Sequence, residues 1–147
     1  MEKNATIYIL DPETATFSAV EMPTDNGFAP LYAALACQVI ETLHYDDRHV
    51  IFFDEDGLRN GLAAFTTLDG HPQPLAGKLA LACHEAEPFA TPLLSIGDVA
   101  KRFQCARPLL DPVFDTEQGS TESGIAVRTK LRGFQTRIEK TTPTIVP

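Results

Sequence analysis

Thr6-Ile7-Tyr8-Ile9-Leu10 is the first patterned stretch of the chain, rich in β-formers and followed by the turn-forming Asp11-Pro12-Glu13-Thr14. Phe17, Ala19 and Glu21 then alternate with Ser18, Val20 and Met22, so residues 1–23 read as a strand pair whose inward face is left open. Pro23 ends it. Beyond Asp25-Asn26-Gly27, apolar residues from Phe28 through Leu31, Leu35 and Val39 to Leu43 recur at steps of three and four. That spacing predicts a helix with Pro30 in its first turn and Asp25 or Asn26 as N-cap. A second reading stands beside it, because Val39 to Tyr45 is also rich in β-formers and fits a strand entered just after the helix.

Val50-Ile51-Phe52-Phe53 reads as a strand, and Asp54-Glu55-Asp56-Gly57 as a hairpin turn with a glycine free to be left-handed. Leu58 to Leu62 returns from it, with a second bend at Asn60-Gly61. Thr66 to Pro74 is a loop. Leu75 to Cys83 is small or apolar on both faces and reads as an interior strand. Ser95, with Asp98 three residues on, caps a short helix running into Val99 and Phe103. Thr116 to Gly124 has the composition of a flexible loop. In the segment that follows, Ile125, Val127, Thr129 and Leu131 alternate with Arg128, Lys130 and Arg132, and Gly133 fits a bulge before Phe134, Thr136 and Ile138. A helical stripe through Val127, Leu131, Phe134 and Ile138 competes, but the threonines and the glycine favour strand. Residues 141–147 read as a frayed end.

These elements predict an α+β fold: a mainly antiparallel sheet of about five strands with one or two short helices packed on one face. The expected core is Ile7, Ile9, Leu31, Leu35, Ile40, Val50, Phe52, Leu79, Leu81, Val99 and Phe103. Three divisions are expected: a core domain over 1–104, a proline-containing flexible connection over 105–124, and a basic C-terminal arm over 125–147.

At 147 residues and 16.1 kDa the chain suits one domain with an appendage, and about two-thirds of its surface can be buried on folding. No metal or disulfide staple is needed. The 20 acids outnumber the 12 lysines and arginines, giving −8, which opposes general nucleic-acid binding. The imbalance is uneven. Residues 125–147 hold five bases (Arg128, Lys130, Arg132, Arg137 and Lys140) against Glu139, a net of +4, which leaves −12 for residues 1–124. No apolar run approaches 18 residues, and Met1-Glu2-Lys3-Asn4 leads into no signal-peptide core, so a cytoplasmic protein without a membrane span is expected.

Reactive groups are sparse. Cys37, Cys83 and Cys105 form no Cys-x-x-Cys unit and read as reduced, mostly buried thiols. Cys83 beside His84 is the single local candidate for a nucleophile and base. His44, His49, His71 and His84 show no metal-ligand spacing, and counting from Asp54 a calcium loop would have to close on Phe65. Phosphate-binding and nucleophile-elbow motifs are absent. No metal, cofactor or catalytic residue is therefore assigned, and the balance leans away from an enzyme.

Ile40-Glu41, Phe53-Asp54-Glu55-Asp56-Gly57-Leu58 with Gly61-Leu62, and Leu75-Ala76-Gly77-Lys78-Leu79-Ala80 together carry a resemblance. From about Ile7 to Cys83 the chain resembles a family of small uncharacterised domains found in phages, plasmids and conjugative elements. The resemblance implies a strand at 39–44 rather than a long helix, and brings no known reaction. Three functions follow as expectations. The first is an accessory protein of a mobile element that binds another protein through an acidic surface, with nucleic-acid mimicry as one version; Asp46, Asp47, Asp54, Glu55, Asp56 and Asp69 are its candidate residues. The second binds nucleic acid through Arg128, Lys130, Arg132 and Arg137. The third is a small enzyme whose site has no familiar motif.

Overall fold

A computed structural model describes residues 3–59 and 62–147 of the chain. The bend expected at Asn60-Gly61 and the first two residues, Met1 and Glu2, lie outside the described residues. The chain opens with an antiparallel pair, β1 (Asn4–Asp11) and β2 (Thr16–Pro23), then helix α1 (Ala29–Leu35). Strands β3 (Ile40–His44), β4 (His49–Asp54), β5 (Phe65–Leu68), β6 (Leu75–Ala76) and β7 (Leu79–Cys83) follow, with a 3-10 turn at Gly57–Arg59. Helix α2 (Ile96–Ala100) precedes two long strands, β8 (Phe103–Thr121) and β9 (Gly124–Thr141), and the short β10 (Thr144–Val146).

Among the described residues the strands form a six-stranded sheet, β10-β2-β1-β7-β4-β3, and a four-stranded one, β6-β5-β8-β9. This corrects the α+β expectation. Helices of seven and five residues are too small to form a layer, and the chain is mainly β. Strands β1, β2, β4 and β9 follow the expectation, whereas β5 begins in the segment that reads as a loop and Leu75–Cys83 divides at Gly77 into strands of different sheets. Strands β8 and β10 form where the sequence reads as flexible, because pairing with a distant neighbour replaces an apolar signature. The chain forms two compact units: a body, comprising residues up to Arg107 together with Lys140–Pro147, and a ribbon, Pro108–Glu139.

The body is built around β7. All five of its residues are buried, and it lies between β1 and β4, pairing antiparallel with both. Alternation then divides the sheet's side chains between two cores. Ile7, Val50, Phe52, Ala80 and Ala82 meet Leu31 and Leu35 of α1 on one face. Tyr8, Leu10, Ile51, Leu79 and Leu81 meet Leu68, Leu75, Val99 and Phe103 on the other. The second core is knit by edge-on rings, with Phe17 6.1 Å from Tyr8 and 5.9 Å from Phe103 between centroids. Ile9 and Ile40, both expected inside, are only partly buried.

Several local expectations need amending. Residues 40–44 are a strand, because α1 stops at Leu35 and Ala36 turns left-handed with φ of 50°. The helix is capped at Phe28 without a side-chain bond, so neither Asp25 nor Asn26 serves. Ser95 does cap α2, its hydroxyl accepting from the Asp98 N–H at 3.2 Å. Asp54 to Gly57 is not a hairpin turn: it carries the chain out of one sheet toward the other. Gly57 is needed for space rather than a left-handed φ, since a Cβ there would sit 3.0 Å from the Ala76 carbonyl oxygen. Residues 105–121, expected to be flexible, continue as β8, and only Glu122 and Ser123 turn. The tail is not frayed either, because β10 runs parallel to β2 and the Thr144 N–H donates to the Ala15 carbonyl at 2.8 Å.

Candidate functional site

Five of the six acids singled out from sequence fall at the two ends of the β3–β4 hairpin, and Asp69 follows β5. Strand β4 separates Asp46 and Asp47 from Asp54, Glu55 and Asp56, and its six residues span about 20 Å. At the first end the turn between β3 and β4 is internally bonded. One Asp46 carboxylate oxygen accepts from the Arg48 N–H at 2.8 Å, the His49 N–H at 2.7 Å and His49 Nδ1 at 2.9 Å. Arg48 forms a two-pronged ion pair with Glu85. Arg102 lies 4.4 Å above the Tyr45 ring and donates to the carbonyls of Tyr45 and Asp69, at 2.8 and 3.1 Å, tying Asp69 to this end. These contacts hold a turn together.

His49 is the centre of that arrangement. It is 2% exposed, and with Nδ1 on Asp46 its Nε2 accepts the Leu93 N–H at 2.9 Å. Both ring nitrogens are thus committed, and the imidazole ties the β3–β4 turn to the segment after β7. Partial burial pushes the Asp46 carboxyl upward, but the bonds from Arg48 and His49 outweigh it and hold the group below the ordinary carboxylate range. A carboxyl lowered in the folded state adds stability above its unfolded pKa, about 4, and that stability disappears as pH falls through the lower folded value. Urea midpoints measured from pH 6 down to pH 2.5 should therefore drop below about pH 4. Asp46→Asn should start lower and show a shallower drop. An unchanged slope in the variant would remove Asp46 from this account.

Cys83 and His84 do not converge. Consecutive strand residues face opposite ways; Cys83 is buried, while His84 is exposed and bonds through Nε2 to the Asp47 carbonyl at 2.8 Å. Burial, with Asp11 nearby, pushes the Cys105 thiol up to about 11, and burial and then Asp54 raise Cys37. Neither is disposed to be a thiolate.

The other end of β4 differs. Continuing the pairing of β4 with β7 sets Lys78 opposite Asp54, and continuing that of β7 with β1 sets Asp11 opposite the same lysine. Asp11, Glu13 and Asp54, with Lys78, line a half-open cavity of about 470 Å³ whose floor includes Leu35 and Ala76. Glu55 and Asp56 are exposed in the turn that follows. Three acids thus line the cavity with Lys78, and in the turn beside it Arg59 lies 3.6 Å from Asp56. Asp11 and Glu13 escaped sequence reading, since only strand register brings them to Asp54.

The basic positions lie in the ribbon, opposite acids of its own. Arg137 pairs with Asp111 at 2.7 Å and Arg132 approaches Asp115 at 3.9 Å. Residues 108–139 hold four bases (Arg128, Lys130, Arg132, Arg137) and five acids (Asp111, Asp115, Glu117, Glu122, Glu139), a net of −1. The +4 of the terminal segment is therefore not the charge of a surface.

The chain is mainly β, with His49 bonded within a turn and Cys83 and Cys105 buried, and among its described residues no helix is long and apolar enough to cross a membrane. It belongs to the family described as Domain of unknown function (DUF3846), whose model matches residues 5–104. It is 40% identical over 140 residues to "Uncharacterized protein y4iR" of Sinorhizobium fredii (strain NBRC 101917 / NGR234), covering 95% of this chain and 87% of that one. It is 36% identical over 132 residues to "Protein PsiB" of Rhizobium leguminosarum bv. phaseoli, covering 89% and 98%. No solved structure matches. The family model ends at residue 104, near the start of β8, whereas the 95% coverage of the first relative carries that match through most of the ribbon.

Proposed function

We propose that this protein is a non-enzymatic protein-binding module that takes a basic partner at the acidic end formed by Asp11, Glu13, Asp54, Glu55 and Asp56. The row Asp11, Lys78, Asp54 at the mouth of the cavity carries the reading. Asp11 and Asp54, held in register at the ends of β1 and β4 with Lys78 between them, present a fixed charge pattern. Each accepts a single N–H of its own turn, from Glu13 at 3.0 Å and Asp56 at 2.9 Å, whereas one Asp46 oxygen accepts three bonds. A fixed field of one sign accelerates encounter with the opposite sign and loses that advantage as salt screens it beyond about 10 Å. The proposed setting is that of an accessory protein of a mobile element, which rests on the resemblance noted from sequence.

Affinity capture from the host cytosol tests this reading. Wild type should recover a basic protein at low salt and markedly less at moderate salt. Asp11→Asn, Glu13→Gln and Asp54→Asn combined should lower the low-salt recovery at least fivefold while the thermal transition stays in place. Equal recovery by both proteins at both salts would sink the proposal.

A further inference from the structure

The ribbon has two unlike faces, and its ion pairs show which residues lie on each. Asp111 and Asp115 are four apart on β8 and share a face. Their partners Arg137 and Arg132 are five apart on β9, which a period of two permits only with one extra residue between them, and Gly133 sits there. With that bulge in place, Arg128, Lys130, Arg132, Arg137 and Glu139 join the two aspartates on one side. The opposite side receives Leu110 and Phe114 from β8. From β9 it receives Ile125, Val127 and Leu131 before the bulge, and Phe134 and Ile138 after it. These apolar side chains are between 47% and 73% exposed, and the charged residues of β8 and β9 within the ribbon alternate to the other face, Glu122 lying in the turn between the strands.

We propose that this apolar face is covered by the same face of a second copy of the chain. A two-stranded ribbon on its own is marginal in water, and a bare apolar face of this size is uncommon on a monomer. At about 100 Å² or more for each side chain, it offers about 800 Å² per copy, the contribution expected of each partner in an interface of standard size. Charge selects the occupant. The face itself is uncharged, so neither a nucleic acid nor a strongly charged peptide finds a counterpart there. The ribbon's net of −1 against −7 for the rest of the chain makes it the place where two copies meet with least repulsion. Two such ribbons stacked face to face leave both salt-bridged sides outward. This inference does not depend on the acidic end.

Sedimentation of the full-length chain between about 0.01 and 100 µM reads the weaker part of the range, micromolar to picomolar, that interfaces of this size span. Wild type should approach twice 16.1 kDa as concentration rises, and the dimer should survive added salt. Leu131→Glu with Phe134→Glu should raise the dissociation constant at least thirtyfold while leaving the thermal transition of the body unmoved, because both side chains are already exposed. Lys130→Gln, on the other face, should leave association intact. A wild type that stays monomeric throughout, or a dimer indifferent to the double substitution, overturns the proposal. A ribbon variant that dimerises normally but loses a captured cytosolic protein would assign the face to that protein instead, and also overturns it. Loss of basic-partner capture by the Asp11, Glu13 and Asp54 variant with dimerisation unchanged would leave this inference standing.

Discussion

Leu79→Asp should abolish the cooperative thermal transition of the body. Leu79 is 2% exposed, sits on the strand with neighbours on both sides, and packs in the core that holds Tyr8, Leu10, Phe17 and Phe103. An aspartate there loses the leucine's burial, about 2 kcal/mol, and places an unpaired carboxylate where no water reaches. The combined cost exceeds about 4 kcal/mol, against a total stability of about 5–15 kcal/mol for a domain. Circular dichroism during heating should show no sharp transition above 25 °C. A melting temperature within a few degrees of wild type would mean that β7 is not interior.

The second large effect is at His49. His49→Phe keeps the ring volume and removes both of the ring's bonds, leaving the Leu93 N–H without its acceptor and Asp46 with only the backbone N–H donors of residues 48 and 49. A buried N–H left unmet costs about 1–3 kcal/mol, and a hydrogen bond to a charged group contributes about 1.5–3 kcal/mol. Because the Asp46 side chain is 40% exposed and Leu93 is 53% exposed, water replaces part of both lost bonds, and the expected loss is about 2 kcal/mol. Urea unfolding reads it directly. A change below about 0.5 kcal/mol would show that the loop after β7 is held by other contacts.

The contrast between these two sites explains what the sequence disclosed. Leu79 and Leu81 were legible because β7 is small or apolar on both faces, and a run of that length beside Gly77 fits a strand buried on both sides. His49 was not, because neither Asp46 nor Leu93 looks unusual alone and Leu93 is 44 residues away. The strand at 40–44 stayed ambiguous since its side chains satisfy both periods; backbone reversal at Ala36 decides the matter, and alanine gives no local sign of it. Asp54 to Gly57 resembles hairpin chemistry and was misread, because a turn's residues do not say whether the next strand returns to the same sheet. The acidic row was invisible for a related reason. Asp11 and Asp54 become neighbours of Lys78 only through two separate registers. In the ribbon the alternation of β9 was plain, while β8 passes through Thr116 to Thr121 with polar residues on both sides, which reads as loop until a partner strand supplies the hydrogen bonds.

Strand β10 has a kinetic meaning. It lies against β2, so that Thr144 meets Thr16 across 128 intervening peptide bonds. During synthesis at about 5–20 residues per second, the outer edge of β2 waits between about 6 and 26 s for this neighbour. The pairing also raises contact order, which slows folding because distant segments must find each other before their contacts repay the lost chain entropy. Throughout that interval a nascent sheet with an open edge is exposed to other chains, and chaperone dependence during expression would reflect the lateness of one short strand rather than weakness of the finished fold.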